Sequence, residues 1–133
     1  MFGLIAAEAD NSIGAAGASF NSTIIFCKAG SGGYITGNWV QAIQYLANQG
    51  AKIISMSFFG AGYMQSTQDV INYAYQLGTI SIACGGFTLT GCPYNSITYP
   101  IGYDNVIGVG VLNNDATNMR LNSIVSSKLD LLL

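Results

Sequence analysis

The chain has 133 residues, about one domain's worth; half are hydrophobic, 8 % are charged, and the formal charge is −2. So few Lys and Arg exclude a basic nucleic-acid platform or a polybasic membrane patch, which need them clustered, and the apolar, aromatic-bearing composition excludes intrinsic disorder. There is no histidine, so this chain alone can assemble neither a Ser-His-Asp or Cys-His pair nor a histidine-rich zinc site.

The first residues, Met1-Phe2-Gly3-Leu4-Ile5, have no basic region ahead of them and make a poor signal peptide. Thr23-Ile24-Ile25-Phe26-Cys27-Lys28 is a short β-branched apolar run that reads as a buried strand, with Cys27 a buried thiol inside it. A glycine-rich loop follows over residues 29–33. Asn38 stands where it can cap a helix from Trp39 to about Asn48, with Val40, Ile43 and Ala47 on one face and Gly50 ending it. Residues 52–57 read as a second strand, running into Phe58-Phe59-Gly60. Ser66, with Asp69 three residues on, marks the start of a second helix. Val70, Tyr73, Ala74 and Leu77 form its inward face, and Gly78 stops it. Residues 79–84 form a third strand, residues 85–103 a long turn-rich loop, and residues 105–111 a fourth strand. Lys128-Leu129-Asp130-Leu131-Leu132-Leu133 leaves the pattern and reads as a frayed or frameshifted end.

Strands separated by helices imply parallel pairing through crossovers. The expected class is α/β, a three-layer α/β/α arrangement with helices over a parallel sheet. No stretch is continuously apolar enough for a transmembrane helix.

In open parallel sheets, ligands bind outside the carboxyl ends of the strands. Here those ends are Gly30-Ser31-Gly32-Gly33, Ser57-Phe58-Phe59-Gly60 and Gly85-Gly86. Each alone is a tight turn; three at one rim favour a place where backbone approaches a ligand. A phosphate fits poorly, because the glycines lack the Gly-x-Gly-x-x-Gly spacing, there is no Walker lysine, and the helix starts several residues later. An extended peptide, pairing with exposed backbone and inserting a side chain, fits better. Cys27, Cys84 and Cys92 match neither a disulfide framework nor a zinc spacing. Cys84 and Cys92 can close a small loop in an oxidising compartment and are otherwise free thiols.

Ile54-Ser55-Met56-Ser57-Phe58-Phe59-Gly60 resembles the Ile-Asn-Met-Ser-Leu-Gly-Gly segment of subtilisin-like serine proteases, the subtilases. Ala83-Cys84-Gly85-Gly86 is similar to their Ala-Ala-Gly-Asn, and the run from Tyr99-Pro100 through Val106-Ile107-Gly108-Val109-Gly110 to their Tyr-Pro-Ala-x-Tyr-x-x-Val-Ile-x-Val-Gly. Ile5-Ala6-Ala7 and Asn11-Ser12-Ile13-Gly14-Ala15-Ala16-Gly17 resemble the stretch after the start of the family's histidine helix. The resemblance implies a subtilisin-like fold, incomplete here, and peptide-bond hydrolysis by serine attack in the parent enzyme. It gives Gly30, Ser31, Gly32 and Gly33 the strand that pairs with substrate backbone. Ser57, Phe58, Phe59 and Gly60 become the opposite strand and one wall of the specificity pocket, and Ala83, Cys84, Gly85 and Gly86 the other wall. Phe59 stands where relatives have glycine, which narrows or blocks that pocket; alternatively both phenylalanines pack into surrounding structure. The loop through Asn11, Ile13 and Ala15 resembles a calcium loop without its upstream acidic partner, and Asn11 is equally well a turn residue. Tyr99-Pro100 is implied to be a cis peptide. No other cofactor is implied.

None of the three triad positions falls within the chain: the family's histidine precedes Met1 by a few residues, and its aspartate and serine lie further out. Gly86 replaces the oxyanion asparagine, removing a side-chain donor worth about 2.7–4 kcal/mol in the transition state. The expectation is a portion of a subtilisin-like peptidase domain lacking both ends and inactive as it stands, with peptide or protein as partner and neither nucleic acid nor membrane. The alternative is a degenerate, non-catalytic homologue that at most binds extended peptides. Family resemblance implies secretion, though this chain carries no signal of its own.

Overall fold

The computed structural model describes residues 2–28, 30–31, 34–35, 38–60, 62–87, 96–120 and 122–133. In chain order the elements are α1 (Phe2–Ala6), β1 (Gly30–Ser31), β2 (Tyr34–Ile35), α2 (Trp39–Asn48), β3 (Ile53–Met56), α3 (Gln65–Gln76), β4 (Ile80–Cys84), β5 (Val106–Gly110) and β6 (Leu131–Leu132). The strands β3, β4, β5 and β6 form a parallel sheet in that order, while β1 pairs antiparallel with β2 in a separate sheet.

Register decides which face is buried. Ile54 pairs with Ser81 and Met56 with Ala83, and all four are buried. Ile43 and Ala47 of α2 and Val70, Ile71 and Ala74 of α3 join Ile54, Met56 and Ala83 in one core cluster with Ile101 and Tyr103. On the opposite face Ile53 pairs with Ile80, and these side chains are 60 % and 47 % exposed. The fold is therefore α/β with a parallel sheet and helices, as the sequence implies. It is also incomplete: this face of the sheet is left uncovered, and fully burying an exposed isoleucine there would contribute about 1.5–3 kcal/mol.

The helix α2 follows its sequence pattern. Ile43 and Ala47, one turn apart, are buried, and Trp39, Val40 and Leu46 pack partly against the core. Gly50 ends it at φ +77°, a left-handed conformation glycine adopts without steric cost. Its N–H donates to the Ala47 carbonyl at 3.0 Å, and Ala51 N–H to that of Leu46 at 3.1 Å. Asn38 does not cap through its side chain; only its carbonyl enters the helix, accepting from Ala42 N–H at 3.0 Å.

The second helix departs further from expectation. It starts at Gln65 rather than Ser66, after the extended residue Met64, with no side-chain cap. Its buried stripe is Thr67, Gln68, Val70, Ile71 and Ala74, while Tyr73 and Leu77 are 38 % and 49 % exposed. Positions 67, 70, 71 and 74 share one face at helical spacing, so a stripe centred on Ile71 leaves position 73 on its flank. The Tyr73 hydroxyl instead donates to Asn48 Oδ1 at the end of α2, at 2.6 Å. Gln68 ties α3 to the turn before β5: its Oε1 accepts from Asp104 N–H at 2.9 Å, and its Nε2 donates to the Asp104 carbonyl at 3.3 Å.

Two expectations are corrected. Residues 23–28 join neither sheet, and Ile24, Ile25 and Phe26 are 38 %, 40 % and 68 % exposed, with Cys27 half-buried rather than buried. A cavity of about 730 Å³ lies between this run, the end of α2 and the edge of β3, and among the described residues the run forms no strand. The C-terminal residues are not a frayed end. Val109 pairs with Leu131 and Gly110 with Leu132 in parallel register. Asp130 N–H donates to the Gly108 carbonyl, and its carboxylate accepts from Gly108 N–H, both at 2.8 Å. The run Leu131–Leu132 lacks polar alternation, which hides an edge strand from periodicity.

Candidate peptide-binding rim

Because Met56 and Ala83 are in register, the segments leaving β3 and β4 emerge side by side. The half-buried Cys84 thiol donates to the Phe58 carbonyl at 3.7 Å, and burial pushes that thiol above its ordinary value. Gly85 is held on both sides: its N–H donates to the Val109 carbonyl, and its carbonyl accepts from Thr98 Oγ1, each at 2.9 Å. The Gly86 carbonyl accepts from Ile124 N–H at 3.2 Å, and Phe87 bridges to Ser123. Gly60 exchanges both backbone hydrogen bonds with Tyr99 at 2.9 Å, so it has no backbone pairing capacity left for a ligand.

The adjacent phenylalanines part company, as neighbours in extended chain do. Phe58 turns inward, its ring centroid 5.2 Å from Trp39 in an edge-on contact, and Trp39 leads on to Tyr103 at 6.4 Å. Tyr103 lies 4.6 Å from Tyr99, beside the cis Tyr99–Pro100 peptide that the resemblance implied. Phe59 instead lies over Gly86: a Cβ placed there would stand 2.5 Å from its Cδ2 and 2.6 Å from its Cγ. Of the two readings left open for this pair, core packing holds for Phe58, and Phe59 sits between the rim segments.

Not every nominated residue gathers here. Gly30 and Ser31 pair with Ile35 and Tyr34 in their own small sheet, and Gly32, Gly33 and Cys92 lie outside the described residues. Cys84 is a free thiol. Thr98, Tyr99, Ser123 and Ile124, which fix the rim from behind, carried no signal in the sequence beyond the Tyr99-Pro100 match.

The calcium positions are an exposed turn. Asn11 Oδ1 accepts from Ile13 N–H at 3.0 Å, and Asp10, Ser12 and Gly14 alternate at φ +60°, +60° and +64°. Asn11 with the carbonyls of Ile13 and Ala15 supplies about half of the six to eight oxygens calcium takes. No group of three or more His, Cys, Asp or Glu that could hold a metal exists among the described residues. Among the described residues this turn therefore does not by itself make up a complete site.

The family model described as the Subtilase family matches residues 1–131. The chain belongs to the subtilase family. The match ends at Leu131, the first of the two residues of β6. This subtilase chain is 34 % identical to thermitase of Thermoactinomyces vulgaris over 112 residues, covering 80 % of this chain and 38 % of that protein. It is 36 % identical over 118 residues to the halolysin-like extracellular serine protease Nep of Natrialba magadii, covering 86 % of this chain and 21 % of that one. In fold it superposes on a protease from Pseudoalteromonas arctica with a TM-score of 0.85 at 22 % identity, covering 98 % of this chain and 41 % of that one. The chain thus spans less than half the length of these relatives.

Proposed function

We propose that this subtilase chain is a portion of a subtilisin-like serine endopeptidase domain that supplies the rim holding an extended peptide or protein substrate. By itself it cleaves nothing. The observation that carries this reading is the pair of strand ends, Ser57 to Phe59 and Gly85-Gly86, held side by side by Cys84, Thr98, Tyr99 and Ile124. Inactivity follows from composition: with no histidine in the chain, no serine here has the imidazole base that activates it. Nucleic acid is not a partner, for want of a basic patch, and no helix among the described residues is long and apolar enough to cross a membrane. The name of the Natrialba magadii relative supports an extracellular site of action.

The test is incubation of the purified chain with casein and a fluorophosphonate probe, with no peptide release and no labelled serine expected. Labelling of any serine would overturn the inactivity. Peptide mapping of the native product then decides between two readings. Peptides running upstream into a His-Gly-Thr segment and downstream into a Gly-Thr-Ser segment support the endopeptidase. A native product of these residues alone supports a non-catalytic peptide-binding homologue, the reading that Gly86 and Phe59 favour.

A further inference from the structure

The parallel sheet leaves one edge of β3 unused. Ile80 N–H donates to the Lys52 carbonyl at 2.9 Å, and backbone groups alternate sides along a parallel strand. Lys52, Ile54 and Met56 therefore turn their N–H and C=O groups toward β4, while Ile53 and Ser55 turn theirs outward. None of these outward groups bonds to a described residue, and across the gap the backbone of Ile24 and Ile25 is equally unbonded. The cavity of about 730 Å³ lies between these two stretches, with Leu46 of α2 among its walls. Lys52 is the one charged residue among those lining it, and no described acid pairs with it.

We propose that this gap is a strand-acceptor site, which takes one extended peptide of a partner: an acidic residue followed by a run of apolar ones. Outward donors and acceptors two residues apart are the repeat that an added strand bonds. The lining reaches from Lys52 to Ser57 along β3, a length matched by about six extended residues. Apolar side chains on both sides of the slot call for apolar residues at successive positions, as in strands buried on both faces. Running parallel, like β4, β5 and β6, the peptide sets its first residue beside Lys52, where an aspartate pairs with the ammonium. The occupant is a lone strand and not the edge of another sheet, because residues 23–28 stand where that sheet would continue. The site is the outer edge of β3 and is independent of the rim between the ends of β3 and β4.

The test titrates fluorescein-Gly-Gly-Asp-Val-Ile-Val-Ala-Val-amide, by fluorescence anisotropy, against the full chain and its S55P and K52E variants. Proline at 55 removes an outward N–H and nothing that β4 uses, which an edge strand tolerates. Saturable binding by the wild type is expected, at least tenfold weaker for S55P and at least tenfold weaker for the same peptide N-methylated along its length. K52E should bind the aspartate peptide at least threefold more weakly and a peptide with lysine in its place more tightly. Amide exchange followed by NMR should show Ser55 exchanging faster than Ile54 and Met56 in the free chain and slowed at least tenfold by the peptide. No binding, or equal binding of the N-methylated peptide, overturns the site, and these readings together with K52E decide it even where S55P fails to fold. Self-association of the wild type that S55P abolishes assigns the slot to a second copy and overturns the peptide partner. Slow Ser55 exchange in a longer native product without added peptide shows the slot filled from within the same polypeptide, and overturns it likewise.

Discussion

Gly108→Ala is expected to detach the C-terminal strand. A Cβ at Gly108 would fall on the Lys128 carbonyl oxygen, a backbone atom that no rotamer change can move aside. Relief requires the segment after Lys128 to leave β5. That sacrifices the reciprocal Gly108–Asp130 bonds, the Leu133 N–H to Gly110 carbonyl bond at 3.2 Å and the Leu112 N–H to Leu133 carbonyl bond at 2.7 Å. At roughly 1 kcal/mol for each of these four bonds, less the roughly 0.5–1 kcal/mol that Ala gains over Gly in a strand, the net cost is about 3 kcal/mol. Gly60→Ala is the control: nothing lies within 4 Å of a Cβ there, so its midpoint should stay within about 0.5 kcal/mol of wild type. The assay is urea unfolding with hydrogen exchange at the Asp130 and Leu133 amides, whose protection should collapse in G108A while β4 amides keep theirs. A G108A chain with wild-type midpoint and full protection at Asp130 would refute the docking of β6.

Ile71→Ala, at a fully buried position on α3, should cost about 2–5 kcal/mol, whereas Leu77→Ala at the exposed end should cost under about 1 kcal/mol; equal losses by urea titration would contradict the observed stripe. Burial raises the Cys84 thiol above its ordinary value of 9.0, so its contribution is complete below that value and is lost as pH rises through the folded value. Wild-type stability should therefore fall faster than that of C84S above about pH 9, and parallel profiles would remove the argument. The same burial should make Cys84 alkylation by iodoacetamide at pH 8 much slower in the native chain than in urea, as read by mass spectrometry. Calcium at about 1 mM should leave the melting midpoint unchanged, since half a ligand shell gives no affinity in that range; a rise of several degrees would show a complete site.

The α/β class, the extent of α2 and the positions of β3, β4 and β5 were legible because each is a local pattern. Ile43 and Ala47 repeat at helical spacing, and Ile53-Ile54, Ile80 to Cys84 and Val106-Ile107 are short apolar runs bounded by glycines and turns. The inward face of α3 was misread because a two-residue choice of stripe, Tyr73 or Ile71, depends on where the sheet lies beneath. Residues 23–28 have a strand's composition, but strand identity belongs to a pair of chains, and beside this one there is a cavity. Leu131–Leu132 shows the converse, a sequence without strand alternation made into a strand by the neighbouring edge of β5.

The sequence by itself determined the composition, without histidine and with few charges, and its motif order marks it as a subtilase. Tertiary structure alone decided which residues meet where β3 and β4 end. Phe59 and Gly86 are 27 positions apart, and no local pattern says that one ring occupies the other's side-chain space. That overlap exists only because the parallel register of Met56 with Ala83 brings both strand ends to the same place.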